Sequence, residues 1–203
     1  MNDLQDVFWR TVLTRRSIRR YQPEPVPENL IRRLLTAAIW APSAHNRQPW
    51  RFAVVTTEAR KAALAEAMAE RWLEDMTRAG VPAREIRARL QRSRQRLTEP
   101  PLLVVGCMTM RDMDVYADPR LTEAERTMAM QSLVLALGNL MLAAHHEGLS
   151  SCWMCAPLFA PDEVRTALEL PNDWEPQAII TLGWPNESRT SFRKPLEEVV
   201  LWK

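Results

Sequence analysis

A polar loop bounded by prolines, residues 41–52, constrains the fold of this chain more than any other stretch. Pro42 and Pro49 stand seven residues apart, and proline interrupts both helices and central strands. A helical pattern over residues 28–40 precedes the loop, and strand-like residues 51–56 follow it. The sequence therefore predicts a stiff connection between a helix and a strand, which is a common position for a binding site.

The side chains of this loop leave two interpretations open. Ser43, Asn46 and Gln48 are neutral groups that can each donate and accept hydrogen bonds. They are suited to capping a structural turn, and they are equally suited to contacting a polar ligand. The loop alone does not decide between these roles.

Arginines crowd a second segment near the start of the chain. Residues 15–20 contain four arginines, with Ser17 among them. One interpretation is a solvated basic turn or a patch that meets an acidic surface. The other is an anion site, because guanidinium groups bind phosphate through two hydrogen bonds and a serine hydroxyl can add another.

A further row of arginines lies on the helix predicted over residues 82–97. Ile86, Leu90 and Leu97 lie close to one face of that helix, so the arginines are predicted to form its solvated or partner-facing side. The net charge of the whole chain is only +2. Together with the lack of a known nucleic-acid motif, this argues against nucleic-acid binding. The row comprises Arg84, Arg87, Arg89, Arg92, Arg94 and Arg96.

Helical and strand-like patterns alternate along the 203 residues without a repeat or a low-complexity linker. They predict one α+β domain spanning residues 1–203. A capping box at Thr122–Glu125 is predicted to open a long helix that stops at Gly148. The predicted helices cover residues 4–15, 28–40, 58–78, 82–97, 122–147 and 161–170, and the predicted strands cover residues 52–55, 102–108, 150–154 and 177–182.

The cellular location is predicted from the apolar stretches and the cysteines. The second half of the long helix is apolar on nearly all sides, which predicts burial in the core or against a second subunit. Its apolar run, residues 133–144, is too short to cross a bilayer, and no secretory leader is evident. Three cysteines, an odd number, suit a reducing compartment. We therefore predict a cytoplasmic protein without a membrane partner.

Few patterns in the chain indicate a catalytic side chain. Cys152 and Cys155 have the spacing of a thiol redox pair or of half a zinc site. A zinc site needs four ligands, and a redox pair is expected at the start of a helix, whereas this pair follows a helix and a glycine. The chain has no glycine-rich phosphate loop and no nucleophile elbow. We predict no catalytic side chain and no metal.

Several separated motifs, in the right order and over nearly the whole chain, resemble the FMN-dependent nitroreductase family. They lie at residues 15–19, 41–52, 148–154, 179–185 and 193–200. Within that family the chain looks most like the flavin-binding C-terminal domain of bacterial coenzyme F420 biosynthesis ligases. That likeness lies at residues 71–75, 116–120, 151–154 and 170–176. The glutamate-ligase domain that precedes it in those proteins has no counterpart in this sequence, so ligase activity is not implied.

The resemblance implies an α+β nitroreductase-like fold with a central mixed β-sheet, an intertwined homodimer and FMN at the subunit interface. It also implies ping-pong hydride transfer from NAD(P)H through FMN to a small organic acceptor such as a nitro or quinone compound. Two rival functions remain. One is a reductase of an F420-type deazaflavin, and the other is a non-catalytic flavin-binding module.

The same resemblance assigns roles to three groups of residues. One group would hold the phosphate and ribityl chain of FMN, namely Arg15, Arg16, Ser17, Arg19 and Arg193. A second group, from the other subunit, would contact the flavin ring, namely Pro42, Ser43, Asn46 and Gln48. A third group would pass near the reactive edge of the ring, namely Trp153, Met154 and Cys155.

Overall fold

A computed structural model describes residues 3–203, with side chains described from residue 6 onward. At its centre lies a four-stranded sheet with the strand order β1-β2-β4-β3. Each pair of neighbouring strands is antiparallel, so the predicted mixed sheet is wrong for these four strands. One parallel pairing does exist, as an isolated bridge between Ser17 and Ser151. The strands are β1 (Trp50–Val55), β2 (Leu102–Met108), β3 (Ser150–Met154) and β4 (Glu175–Gly183).

Helices cover both faces of this sheet, and the predicted α+β class is confirmed. The α-helices are α1 (Asp3–Thr14), α2 (Glu28–Ile39), α3 (Glu58–Arg78), α4 (Ala83–Thr98), α5 (Pro119–His146) and α6 (Pro161–Ala167). Helices α2 and α5 pack together on one face, whereas α3 and α6 cover the other. Helix α4 packs along α3 and is held there by Ile86 and Leu90.

Strand β2 shows why the sheet needs helices on both faces. All of its residues are buried. Leu102 and Val104 join the core beneath α2 and α5, whereas Leu103 and Val105 join the core beneath α3 and α6. Side chains alternate across a strand, so a continuous apolar run requires apolar cover on each side. Full burial of such a side chain is worth about 1.5–3 kcal/mol.

Helix α5 begins earlier than the capping box predicts. Asp118 is the N-cap, and its carboxylate accepts a hydrogen bond of 2.8 Å from the backbone N–H of Arg120. The Thr122 hydroxyl instead donates to the carbonyl of Tyr116 at 3.1 Å. The predicted stop at Gly148 is confirmed, because Gly148 has φ +82° and the next N–H bonds back to the carbonyl of Ala144.

The same helix is long and apolar enough to cross a membrane by length and composition, although its apolar run alone suggested otherwise. Leu133, Leu137 and Leu140 have no exposed surface and form the centre of the core beneath the sheet. On another side, Val134 and Leu135 remain 43% and 49% exposed. The helix therefore serves as the core helix of this fold and still presents apolar surface outward.

The segment after β4 carries more exposed apolar side chains. It contains a single short helical turn, Leu196–Glu198, and otherwise has no regular structure. Phe192 is 88% exposed and Trp202 is 84% exposed. Large apolar groups exposed in this number commonly mark a surface that a partner covers.

Candidate functional site

The arginine-rich segment, residues 15–20, lies along the free edge of β3. The N–H of Ile18 donates to the carbonyl of Ser151 at 3.1 Å. The Tyr21 hydroxyl donates to the carbonyl of Ile18 at 2.6 Å and lies 2.7 Å from the Thr181 hydroxyl on β4. Burial raises the pKa of Tyr21, so this phenol stays protonated as a donor. The segment is thus fixed to the sheet at Ile18 and at the adjoining Tyr21.

The Arg15 guanidinium forms the centre of a cationic cluster. Its Nη1 atom is buried and has no hydrogen-bond partner in the described part of the chain. Burial lowers the pKa of Arg15, and the charges of Arg193 and Arg16 lower it further. A buried N–H donor without a partner beside two like charges is costly, unless an anion binds there. The structure brings Arg15, Arg16 and Arg193 close together.

Arg16 and Arg193 are partly engaged within the chain. Arg16 Nη1 donates to the carbonyls of Leu13 and Arg15, at 2.7 and 2.8 Å, near the end of α1. Arg193 donates to the Phe192 carbonyl at 2.8 Å and to the Ser191 hydroxyl. A guanidinium has five N–H donors, so each residue keeps donors for a ligand.

The Cys152 thiol marks the point where three arginines converge. Burial raises the pKa of this thiol, whereas the charges of Arg19, Arg96 and Arg15 act to lower it. The three side chains come from two distant parts of the sequence. Two of these arginines, Arg19 and Arg96, also line a cavity that the sequence did not reveal. The cavity therefore lies next to the Arg15 cluster.

That cavity has a volume of about 520 Å³ and lies between the end of β3, helix α3 and helix α4. This size is typical of a small-molecule or cofactor site. Four of its lining residues were predicted to belong to the site, namely Arg19, Trp153, Met154 and Cys155. The cavity is also lined by Trp72, Arg89, Arg92, Ser93, Arg96 and Phe159.

The three arginines from α4 are site residues that sequence reasoning missed. Their helix was correctly predicted, but its polar side was expected to face solvent or a partner. Arg89, Arg92 and Arg96 instead line the cavity, whereas Arg94 turns away and pairs with Glu66 at 2.8 Å. The spacing of positions 89, 92 and 96 could have shown that these three arginines lie on one face of the helix.

Trp153 and Cys155 contact each other at the mouth of the cavity. The indole Nε1 of Trp153 lies 3.1 Å from the Cys155 sulfur. Cys155 is exposed, whereas Cys152 is buried, and both are free thiols. Cys107 is a third free thiol, and burial raises its pKa to about 12. Cys152 and Cys155 thus place one buried and one exposed thiol beside this cavity.

The loop at residues 41–48 lies away from this cavity. It leads into β1, at the opposite edge of the sheet from β3. Three strand spacings separate those edges, which is about 14 Å. Within one chain the structure therefore does not bring Pro42, Ser43, Asn46 and Gln48 together with the other predicted site residues.

The backbone of this loop is held in an unusual conformation. His45, Asn46 and Gln48 have φ values of +49°, +53° and +51°. Such left-handed geometry is uncommon for residues other than glycine, and it concentrates at functional sites. The Ser43 hydroxyl accepts from the N–H of Gln48 at 3.1 Å, and the N–H of Ala44 donates to Ser132 at 3.2 Å. These hydrogen bonds hold the loop in this conformation and connect it to α5.

One group of potential metal ligands lies beside this loop. Ligand atoms of His45, Asp114 and Glu125 lie within 4.8 Å of one another, and Glu125 is buried with an unpartnered Oε2. Asp114 also pairs with Arg47 at 2.5 Å. Among the residues that the structure describes, the cysteines take part in no such group. Imidazole and carboxylates could hold a divalent cation, or they could share a proton.

This chain is similar to known proteins over most of its length. The sequence profile of the nitroreductase family matches residues 12–184. The chain is 38% identical over 199 residues to an NADH dehydrogenase of Thermus thermophilus, covering 94% of this chain and 93% of the relative. It is 33% identical over 183 residues to a 5,6-dimethylbenzimidazole synthase of Rhodospirillum rubrum, covering 85% and 79%.

A solved structure also resembles this fold over its full length. A protein of Desulfovibrio desulfuricans, described as a nitroreductase in complex with FMN, aligns with a TM-score of 0.73 and 25% identity. The alignment covers 100% of this chain and 98% of the other.

Proposed function

The chain belongs to the nitroreductase family, and from that premise we propose that it is an FMN-dependent oxidoreductase. It would take hydride from NAD(P)H and pass it to a small organic acceptor such as a nitro or quinone compound. The observation that carries this proposal is the buried, unpartnered Nη1 of Arg15 among like charges. FMN, when bound, would supply the hydride chemistry that no side chain of this chain provides.

The Arg15 cluster fits the phosphate of FMN. Arg15 offers an unused buried donor, and Arg16 and Arg193 add positive charge beside it. Charge-assisted hydrogen bonds to a phosphate dianion are stronger than neutral ones. Binding would satisfy the orphaned donor and remove the repulsion among the three arginines. We propose that Ser17 contributes a further hydrogen bond.

The cavity fits a planar ring beside the end of β3. Trp153, Met154 and Cys155 line it at that end. Arg19 and Arg96 also line it, close enough to affect the Cys152 thiol. Positive charge at this end would stabilise negative charge on a ligand ring and so favour its reduced form. Arg96 and Ser93 thus join the proposed site.

A second copy of the chain would complete the site. We propose a homodimer of single-domain subunits in which Pro42, Ser43, Asn46 and Gln48 of each subunit contact the ring held by the other. The opposite-edge position of the loop supports this, because the loop is remote from the cavity of its own chain. The exposed apolar side chains of α5 and of the C-terminal segment also support a partner surface.

The visible spectrum of the purified protein tests this proposal. We expect a yellow protein, or a colourless one that turns yellow on reconstitution with FMN, whose absorbance near the flavin maximum bleaches with NADH or NADPH. Adding a nitro or quinone acceptor should then restore the colour. A protein that neither contains nor takes up FMN would overturn the proposal.

A second candidate is a reductase of an F420-type deazaflavin. The resemblance to the flavin domain of F420 ligases suggests it, and the arginine-lined cavity favours a ligand with anionic groups. Titration of the protein with F420, followed by the fluorescence of the deazaflavin, separates this candidate from a general nitro or quinone reductase. A bound flavin that no nicotinamide or acceptor turns over would instead indicate a non-catalytic flavin-binding module.

A further inference from the structure

The arginine face of α4 is positioned by the apolar residues on the other side of the helix. Ile86 and Leu90 are buried against α3, with exposures of 4% and 7%. This packing turns the face at positions 89, 92 and 96 toward the cavity. The arginines thus line the cavity because the apolar face fixes the rotation of the helix.

The charge on this face is not compensated by the rest of the cavity. The residues that line the cavity include four arginines and neither aspartate nor glutamate. Arg89 forms an ion pair with Glu85 on its own helix. Arg92 forms no ion pair with any of the side chains that the structure describes, those of residues 6–203. Arg92 therefore brings a full positive charge to the wall.

Along α4, Arg92 and Arg89 lie farther than Arg96 from the end of the cavity where the flavin is proposed to bind. Arg96 is close enough to affect the pKa of the Cys152 thiol. With a rise of 1.5 Å per residue, Arg92 stands about 6 Å and Arg89 about 10 Å from Arg96 along the helix axis. The Arg15 cluster would hold the phosphate of FMN, so these two outer arginines are left for another ligand.

We propose that Arg92, supported by Arg89, binds an anionic group, a carboxylate or a phosphate, on the molecule that exchanges hydride at this site. The planar body of that molecule would lie between Trp72 and Phe159, which line the same cavity. This inference rests on the proposed function, because it assumes that a flavin occupies the end of the cavity near β3. With this role for Arg92, α4 is the element that selects substrates by their charge.

The anionic group can come from either of two molecules. It can be the additional phosphate of NADPH, in which case NADPH gains more than NADH, which lacks this phosphate. It can instead be a carboxylate on the acceptor, in which case 4-nitrobenzoate gains more than the neutral 4-nitrobenzyl alcohol. A guanidinium binds both groups through the same paired hydrogen bonds.

Arg92→Gln and Arg87→Gln are a matched pair of variants for the test. Both residues are exposed arginines on α4, and Arg87 does not line the cavity. Steady-state kinetics of the FMN-loaded protein would be measured with NADH and NADPH and with the two nitro compounds. We expect Arg92→Gln to lower kcat/KM about tenfold for the more anionic member of one pair, NADPH or 4-nitrobenzoate, the effect of one charge-assisted hydrogen bond. The less anionic member, and Arg87→Gln throughout, should change less than twofold.

Binding gives a readout that does not depend on turnover. Quenching of tryptophan fluorescence by 4-nitrobenzoate, compared with 4-nitrobenzyl alcohol, should weaken for the carboxylate in Arg92→Gln if the acceptor carries the anion. Selective loss for NADPH would assign the anion to the donor instead. Equal losses for the two members of each pair, or identical behaviour of the two variants, would overturn the inference while leaving flavin reduction, and hence the proposed function, intact.

Discussion

The two arginine-rich segments differ in how firmly the fold holds them. Residues 15–20 run along the edge of β3 and are fixed by the Ile18–Ser151 hydrogen bond and by the buried hydroxyl of Tyr21. The arginines of α4 instead project from a helix that packs mainly along α3, and Arg92 and Arg96 are exposed.

This difference separates two tasks that arginine can perform. A half-buried guanidinium on a segment fixed to the sheet, such as that of Arg15, is held near one position, so it loses less conformational entropy when it binds an anion. An exposed arginine on a helix, such as Arg92, can adjust to ligands of different shape but is screened more by salt. The first arrangement suits a resident cofactor, and the second suits an exchanging substrate.

Removal of the anchored cluster should have the largest effect. The double variant Arg15→Gln, Ser17→Ala is expected to lower FMN affinity about 100-fold or more. It loses two hydrogen bonds to a charged group, worth about 1.5 kcal/mol or more each. Titration of the apoprotein, followed by quenching of FMN fluorescence, measures this. His45→Ala, in the loop at the other edge of the sheet, should change the affinity less than threefold, and equal affinities of the two variants would contradict the assignment.

Loosening the anchor itself should have a smaller effect. Tyr21→Phe removes the hydroxyl that binds the Ile18 carbonyl and contacts Thr181. We expect the free energy of unfolding to fall by about 1–2 kcal/mol, the effect of losing buried hydrogen bonds. Urea denaturation measures this loss. Tyr116→Phe is the control because Tyr116 is 43% exposed, and a similar change in both variants would show that the anchor contributes nothing specific.

The smallest effect should appear as a pH dependence near the cluster. Burial lowers the pKa of His145, and the charges of Arg15 and Arg16 lower it further. The unfolded chain therefore takes up a proton before the folded protein does, and stability is lost as the pH falls below about 6.5. His145→Gln should remove this loss, which we expect to be ~0.5 kcal/mol because His145 is partly exposed.

Stability of the wild type and of His145→Gln, measured by urea denaturation between pH 7.5 and 5.5, tests this. His146→Gln is the neighbouring control. Saturation with FMN should reduce the pH effect, because a bound phosphate offsets the charges of the two arginines. A pH dependence that His145→Gln leaves unchanged would show that the cluster does not reach this imidazole.

Much of the fold could be predicted from local patterns. The fully buried β2 and helix α3 have the predicted bounds, because apolar periodicity and turn residues act over short distances. The start of α5 was misplaced because Asp118 and Thr122 are both good caps, although Pro119 at the first helical position is a local signal for Asp118. A mixed sheet was predicted instead of the antiparallel one, because strands that pair lie far apart in the chain.

The candidate site divides in the same way. The composition of residues 15–20 singled out this segment but left a solvated turn and an anion site both open. The family resemblance then assigned it, together with Arg193, to the phosphate. Arg92 and Arg96 were assigned to a solvated or partner-facing side of the helix, because a helical pattern shows which residues share a face but not what that face meets.

The sequence by itself determined the elements, the rigid loop at residues 41–48 and the family to which the chain belongs, since these depend on local chemistry and on motifs in order. Only the tertiary structure decided that Arg15 keeps an unpartnered buried donor and that α4 turns three arginines into the cavity. It also placed the loop at the sheet edge opposite that cavity. The physical reason is that burial and charge proximity arise from contacts between residues distant in sequence, which no local pattern encodes.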